Sequence, residues 1–334
     1  MVKKINIAIV GATGLVGSTF LKVLEEKKNI RLNNVYLYAS ERSAGKKIHF
    51  RGKEYIVELL DERNILNKKI DYALFSAGGS ISAKFAPIFV SIGAIVIDNS
   101  SNFRMDSNVP LVVPQVNMQD AYNNKGIIAN PNCSTIQCMA PLDVLNRLFK
   151  IRRVHYVTFQ AVSGSGMKGI EDLKKSERGE KCTFYPHSIY NNCLPHIDVF
   201  LENGYTKEEM KMVNETRKIL GIDNLEVSAT CVRVPVYNSH SIAIEVQCEK
   251  DVDLKRYRKA LSRVENVEVC DDLKHNIYPL ATLATGTDNI YVGRIRNGVD
   301  DTKTVHMFVV ADNIRKGAAS NAIEILEKMI KNKH

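Results

Sequence analysis

Three glycines spaced as Gly11-x-x-Gly14-x-x-Gly17 separate a short apolar run, residues 5–10, from a helical stripe at Val16, Thr19, Phe20, Val23 and Leu24. A glycine turn from strand into helix lets the backbone approach an anion closely, and the helix N-terminus favours negative charge there. The feature commits the N-terminal part of the chain to a β-α unit suited to a dinucleotide. Gly11, Thr13, Gly14, Leu15 and Val16 are its candidate contacts. The spacing differs from the commoner Gly-x-Gly-x-x-Gly, and a strand–helix turn needing glycine only for tight packing is the competing reading. The β-α-β context favours the nucleotide.

Strand-like runs recur at residues 34–40, 71–76, 94–99 and 126–130, with helical patterns between several of them. Such alternation predicts a doubly wound, mostly parallel, Rossmann-like α/β sheet. A helical segment covers residues 134–149, with Pro141 expected to kink it. The texture then changes. Alternating or β-branched runs at 153–162, 226–236, 242–248, 290–295 and 304–310 predict a second, largely antiparallel sheet in an α+β domain. Helical patterns lie near 168–177, 206–220 and 253–265. An amphipathic helix over 313–331 is expected to return to the first domain. The division expected is a nucleotide domain of residues 1–132 and 313–334 and a catalytic and dimerisation domain of 133–312.

The 334 residues carry 46 Lys+Arg against 37 Asp+Glu, a net charge of +9, with 45% hydrophobic residues. That composition excludes a disordered or fibrous chain. No apolar run reaches the ~18 residues of a membrane span. The basic-then-apolar start reads as a first strand rather than a signal peptide, so the mature chain is expected to begin at Met1, in the cytoplasm. Lysines and arginines are scattered rather than striped, which argues against nucleic acid as a partner. Seven cysteines without close-spaced pairs read as reduced thiols. Cys193 and His196 are spaced as a metal half-site, but no second half-site accompanies them, and no metal is expected.

The end of the second strand bears on cofactor choice. Ser40, Arg42 and Ser43 offer donors for a 2′-phosphate, whereas Glu41 offers a carboxylate for ribose hydroxyls. The first set favours NADP. Downstream, Asn130-Pro-Asn-Cys133-Ser-Thr ends a strand and opens a helix. A thiol at a helix N-terminus has its thiolate stabilised by backbone N–H groups, which also suit an oxyanion. Cys133 is therefore the candidate nucleophile, and the other six cysteines read as small buried hydrophobes. A thiolate beside a nicotinamide points to acyl transfer coupled to hydride transfer, which needs an acid/base. His240 is the best candidate among the histidines, with a generic turn histidine as the equal alternative.

Together these segments become specific. Gly11-Ala-Thr-Gly-Leu-Val-Gly17, Ser43-Ala-Gly45, Ser100-Ser-Asn-Phe-Arg104, Val109-Pro-Leu-Val-Val-Pro, Asn130-Pro-Asn-Cys-Ser-Thr-Ile-Gln137, Gln160-Ala-Val-Ser-Gly164 and Arg233-Val-Pro-Val with His240-Ser occur in one order. In this the chain resembles the aspartate-β-semialdehyde dehydrogenases, from about residue 4 to residue 325. The resemblance implies NADPH-dependent reductive dephosphorylation of β-aspartyl phosphate through a cysteine thioester, in the pathway to lysine, methionine and threonine. It implies that Cys133 is the nucleophile, His240 the acid/base and Gln160 the residue orienting the acyl group. It assigns Arg233 to the substrate carboxylate, Arg104 and Lys211 to phosphate, Glu208 to the substrate ammonium, and Asn132 to the substrate site.

Ser163, Gly164 and Asn313 match positions near the nicotinamide, and Ser76 and Gly78 end a strand at the cofactor edge. Taken without the family, Glu208, Lys211 and Glu215 form an exposed ion-pair ladder on a helix. Gln115 stands where the family often has Glu, altering local charge, and Ser165 stands where Ala is frequent. A homodimer or homotetramer is expected, with small-molecule substrate and phosphate as the other partners. Two alternatives remain: N-acetyl-γ-glutamyl-phosphate reductase, and a non-catalytic NADP-binding sensor.

Overall fold

The structure is a computed structural model and describes residues 4–332. The chain divides into two compact units, Met1–Pro131 with Ala318–His334, and Asn132–Gly317. Residues 1–3 and 333–334 of the expected nucleotide domain lie outside the described residues.

The first unit contains β1 (Ile5–Val10), α1 (Leu15–Glu26), β2 (Leu32–Ala39), β3 (Lys47–Phe50), β4 (Lys53–Leu59), α2 (Glu62–Leu66), β5 (Tyr72–Phe75), α3 (Gly79–Ser91), β6 (Ile95–Asp98), α4 (Met118–Tyr122) and β7 (Ile127–Ala129). The strands line up as β3-β4-β2-β1-β5-β6-β7. Every neighbouring pair is parallel except β3–β4. From β1 the chain winds outward to β2 and then returns to β5 on the other side. The topological switch beside β1 opens a crevice at the strands' carboxyl ends. All of β1 is buried because both faces are covered. Ile7 and Ile9 pack with Phe20, Val23 and Leu24 of α1, while Ala8 and Val10 join the cluster of Phe75, Phe85 and Phe89. The charged, half-exposed β3 and β4 carry too little apolar alternation to be read from sequence.

The second unit contains α5 (Cys133–Phe149), β8 (Ile151–Gln160), α6 (Met167–Glu177), α7 (Lys207–Leu220), β9 (Glu226–Arg233), β10 (His240–Cys248), α8 (Leu254–Leu261), β11 (Val267–Val269), α9 (Ala281–Ala284), β12 (Ile290–Asn297) and β13 (Thr304–Ala311). Its sheet runs β11-β12-β13-β10-β8-β9. The central pairings are antiparallel, and the outer pairs β8–β9 and β11–β12 are parallel. α5 continues through Pro141 as one helix.

The chain re-enters the first unit later than residue 313, because Asp312 and Asn313 spend their side chains inside the second unit. Asp312 accepts from Gly286 N at 2.8 Å, and Asn313 accepts from Ser239 N at 2.9 Å. The single amphipathic helix expected over 313–331 begins instead with a π-helical turn, Arg315–Ser320, before α10 (Asn321–Asn332). α10 buries Ile323, Leu326 and Met329 in the same cluster as Phe20 and Leu24 of α1.

A long irregular segment joins α6 to α7. Its anchor is Asp172 of α6, which is fully buried. The carboxylate accepts from Thr183 N (2.9 Å), Thr183 Oγ1 (3.0 Å), Phe184 N (2.8 Å) and Tyr185 N (2.8 Å). Burial pushes its pKa up, but these donors outweigh burial and hold it below the usual carboxylate range. Asp172→Asn replaces an acceptor oxygen with a donor facing backbone N–H groups. The expected cost is about 2 kcal/mol in urea unfolding, with faster proteolytic nicking around residues 183–185.

Candidate active site

In the first unit the glycine turn is built as the spacing predicts. Gly11 has φ +83°, and a Cβ there would lie 2.5 Å from the carbonyl oxygen of Ser76. Only glycine lets the ends of β1 and β5 approach this closely. Gly14 caps α1 with no side-chain cap and no acidic residue in the first turn. Gly78 caps α3 in the same uncapped, uncharged way. Two helix N-termini therefore present unfilled donors to an anion. Thr13 and Gly14 are exposed, and Leu15 and Val16 half-buried, on this turn. β2 ends at Ala39 with no acid at its last position. Exposed Ser40 follows, then a 3₁₀ turn carrying Glu41, Arg42 and Ser43.

Arg104 is buried, with Nε donating to Asn130 O at 3.0 Å and Nη2 to Asn99 O at 2.7 Å. Backbone carbonyls thus fix the guanidinium at the ends of β6 and β7. Gln115 donates to Glu324 on α10 at 2.8 Å. A Glu at 115 would face another carboxylate there, so the altered charge expected at this position is absorbed by a pair within the first unit.

In the second unit Cys133 is the first residue of α5, half-buried and outside any disulfide. Asn132 caps the helix, its side-chain oxygen accepting from Ser134 N at 2.9 Å. Two carboxylates of α7 fix Asn132 in turn. Its backbone N donates to Glu215 Oε2 at 2.7 Å, and its Nδ2 to Glu208 Oε1 at 3.0 Å. The same Glu208 oxygen accepts from Gln160 Nε2 at 3.2 Å, while Oε2 accepts from Lys211 Nζ at 3.0 Å. The alternative of an exposed ladder on this helix fails, because Glu208 and Glu215 are 5% and 1% exposed. Burial raises the Glu208 pKa, but the Lys211 ammonium and the hydrogen bonds outweigh it, and the carboxylate stays charged.

His240 is not a turn residue. It opens β10 and is fully buried. Ala161 N donates to its Nδ1 at 3.0 Å, which places the proton of the neutral ring on Nε2. Among the described residues, that Nε2 and the Nε of buried Arg233 have no hydrogen-bond partner. Arg233 Nη1 donates to Ala161 O at 2.7 Å. Gly164 lies over both groups: a Cβ there would sit 2.8 Å from Arg233 Nη1 and 3.2 Å from His240 Nε2. Asn313 is buried and braces the loop, donating to Ser163 Oγ at 3.0 Å and accepting from Ser239 N. Ser239 holds a left-handed φ of +73° just before His240. The extra hydroxyl of Ser165 accepts from Tyr185 OH at 3.0 Å.

Sequence reasoning missed other supports. Gln137, one turn beyond Cys133, donates to His240 O and Val309 O, each at 3.1 Å, tying the cysteine's helix to the histidine's strand. Its i+4 spacing from Cys133 was the available signal. Gly317, in the π turn, leaves room for Cys133: a Cβ there would lie 2.9 Å from the cysteine Cβ. Asp198 accepts from Lys211 Nζ at 2.9 Å. Of the six cysteines expected to be buried, Cys138, Cys231, Cys248 and Cys270 are, whereas Cys182 is half-buried and Cys193 exposed.

Gly164→Ala is expected to lower kcat about a hundredfold by displacing Arg233 and His240, with little change in melting temperature. Burial, then the Arg233 charge, holds the His240 pKa well below its ordinary 6.5. Below about pH 6.5 the unfolded chain binds this proton and the folded chain does not, so stability falls as pH drops. Urea unfolding at about pH 7.5 and about pH 5.5 should show that loss, and His240→Asn should reduce it.

Residues 6–124 match the family described as semialdehyde dehydrogenase, NAD binding domain, and residues 141–316 match semialdehyde dehydrogenase, dimerisation domain. Aspartate-semialdehyde dehydrogenase of Aquifex aeolicus is 52% identical over 98% of each chain. That of Campylobacter jejuni is 48% identical over 100% of each. The crystal structure of aspartate semialdehyde dehydrogenase II from Vibrio cholerae superposes with a TM-score of 0.93 at 41% identity, covering 99% of this chain and 100% of that one. The Candida albicans enzyme, solved with NADP, gives a TM-score of 0.77 at 26% identity over 99% and 100%. With the fold, the glycine turn and the capped cysteine already in place, these likenesses show that the chain belongs to the aspartate-semialdehyde dehydrogenase family.

Proposed function

We propose that this chain converts β-aspartyl phosphate to aspartate β-semialdehyde and phosphate with NADPH, through a thioester on Cys133, on the route to lysine, methionine and threonine. The observation that carries the proposal is the second unit's pairing of a helix-N-terminal cysteine with a buried histidine whose Nε2 is unpartnered. The Cys133 sulfur attacks the acyl carbon. The carbon–sulfur bond forms as the carbon–oxygen bond to phosphate breaks. His240 is the acid/base, its Nε2–H facing the oxygen on which charge develops. Gln160 orients the acyl group, and Arg233 clamps the α-carboxylate through its unpaired Nε. Glu208 meets the substrate ammonium beside Asn132, and Arg104 and Lys211 meet phosphate.

The cofactor's proposed contacts in the first unit are Gly11, Thr13, Gly14, Leu15, Val16, Ser76 and Gly78. The two uncapped helix N-termini fit a pyrophosphate. Ser40, Arg42 and Ser43, directly after β2, fit a 2′-phosphate and support NADP, with Glu41 the one acid among them. In the second unit Ser163, Gly164 and Asn313 complete the set. NADPH, when bound, would supply the hydride to the acyl carbon; the carbon–sulfur bond then breaks, releasing aspartate semialdehyde and returning the Cys133 thiolate. A homodimer is supported by the match to a dimerisation domain and by the half-exposed sheet face carrying Val157, Phe159, Ala243 and Phe308.

The test runs the reaction in reverse. Aspartate semialdehyde with NADP⁺ is expected to give NADPH absorbance only when phosphate is present, and N-acetylglutamate semialdehyde none. Cys133→Ala should abolish the signal while retaining NADPH binding; phosphate-independent turnover, or a fully active variant, refutes the thioester route.

A further inference from the structure

Lys211 has two carboxylate partners of different standing. Glu208 is buried and held by Asn132 and Gln160 as well as by the lysine. It cannot leave without stranding those donors. Asp198 lies on the irregular segment before α7, with its side chain 33% exposed. Among the described residues its other hydrogen bond besides Lys211 comes from its own neighbour, Val199 N, at 2.9 Å, with the Lys207 charge also acting on it. Its backbone sits at a left-handed φ of +69°, an uncommon conformation for a residue with a Cβ. The ammonium proposed to meet phosphate is thus already neutralised by one fixed carboxylate and one detachable one.

We propose that Asp198 is an exchangeable counter-ion, occupying Lys211 in the ligand-free protein and giving way to the substrate's phosphate. The inference rests on the role proposed above for Lys211. It makes Asp198 a residue that selects by charge. A dianionic phosphate gains more from the ammonium than the carboxylate it displaces, whereas a monoanionic carboxylate gains no more. Ligands carrying a carboxylate in place of the acyl phosphate are disfavoured at this position. Both partners are part-exposed, so the exchange is inexpensive.

The experiment titrates the full-length protein with inorganic phosphate at low ionic strength, using the wild type, Asp198→Asn and Asp198→Ser, each checked for an unchanged melting temperature. Removing the competing charge is expected to tighten phosphate about three- to tenfold in both variants. In the reverse reaction it should lower KM for phosphate but not for aspartate semialdehyde. The same substitutions made in Lys211→Ala should leave phosphate affinity unchanged. Weaker or equal phosphate binding in Asp198→Asn and Asp198→Ser would overturn the proposal, leaving Asp198 as a group that merely steers Lys211. No measurable phosphate binding by the wild type would instead overturn the reading of Lys211, and this inference with it.

Discussion

The second unit's site is organised by one buried charge, the carboxylate of Glu208. A carboxylate out of water is tolerated only when its oxygens are occupied by donors, so the fold must bring donors to it. They come from three elements: Asn132 at the head of α5, Gln160 at the end of β8, and Lys211 one turn along α7. The geometry of the capped cysteine is therefore tied to a helix distant in sequence. Glu215, two turns on, reinforces the tie through Asn132 N. Because Asn132 both caps α5 and contacts Glu208, a shift of α7 is felt at Cys133.

The first unit solves a different problem, holding backbone donors open. A helix N-terminus normally satisfies its first N–H groups with a side-chain cap, as Asp61 does for α2. At α1 and α3 the capping residue is glycine and the first turn has no acid, so those donors stay available. Both sit beside the switch in strand order, which is where the parallel sheet opens. Burial of β1 on both faces makes that opening rigid.

Local patterns made most of this legible. Period and punctuation located the main strands, the glycine turn and the cysteine's helix, because each depends on neighbours within a few residues. What stayed illegible depends on partners far along the chain. Local sequence left His240 equally readable as an acid/base or a turn histidine, because nothing near it shows the burial supplied by β8 and β13. Without the family, Glu208 and Glu215 read as a solvated ladder because the Asn132 groups that bind both lie more than seventy residues away. The π turn at 315–320 was hidden because its sequence suits an ordinary helix, and Gly317 gains its meaning only from Cys133 beside it. Asp172 lies on a legible helix, but its donors at Thr183, Phe184 and Tyr185, like Asp198, sit in a segment with no periodicity to read.

The same dependence on distant partners explains why the unsatisfied groups carry information. A buried polar atom left without a partner costs about 1–3 kcal/mol, and folded proteins keep few. Around Ala161 the backbone is fully used: its N–H serves His240 and its carbonyl serves Arg233. Yet the far side of each ring or guanidinium, His240 Nε2 and Arg233 Nε, is buried and unpaired. Gly164, lacking a side chain, keeps those two groups uncovered at the cost of a position where any Cβ would collide. Had the loop served packing alone, a side chain there would have filled the space and the polar atoms would have been turned toward it. The arrangement instead retains one neutral donor and one cationic donor in a water-poor setting, where hydrogen bonds to developing charge are strongest. Stability given up at this point is consistent with a site completed only when an oxygen-bearing ligand arrives.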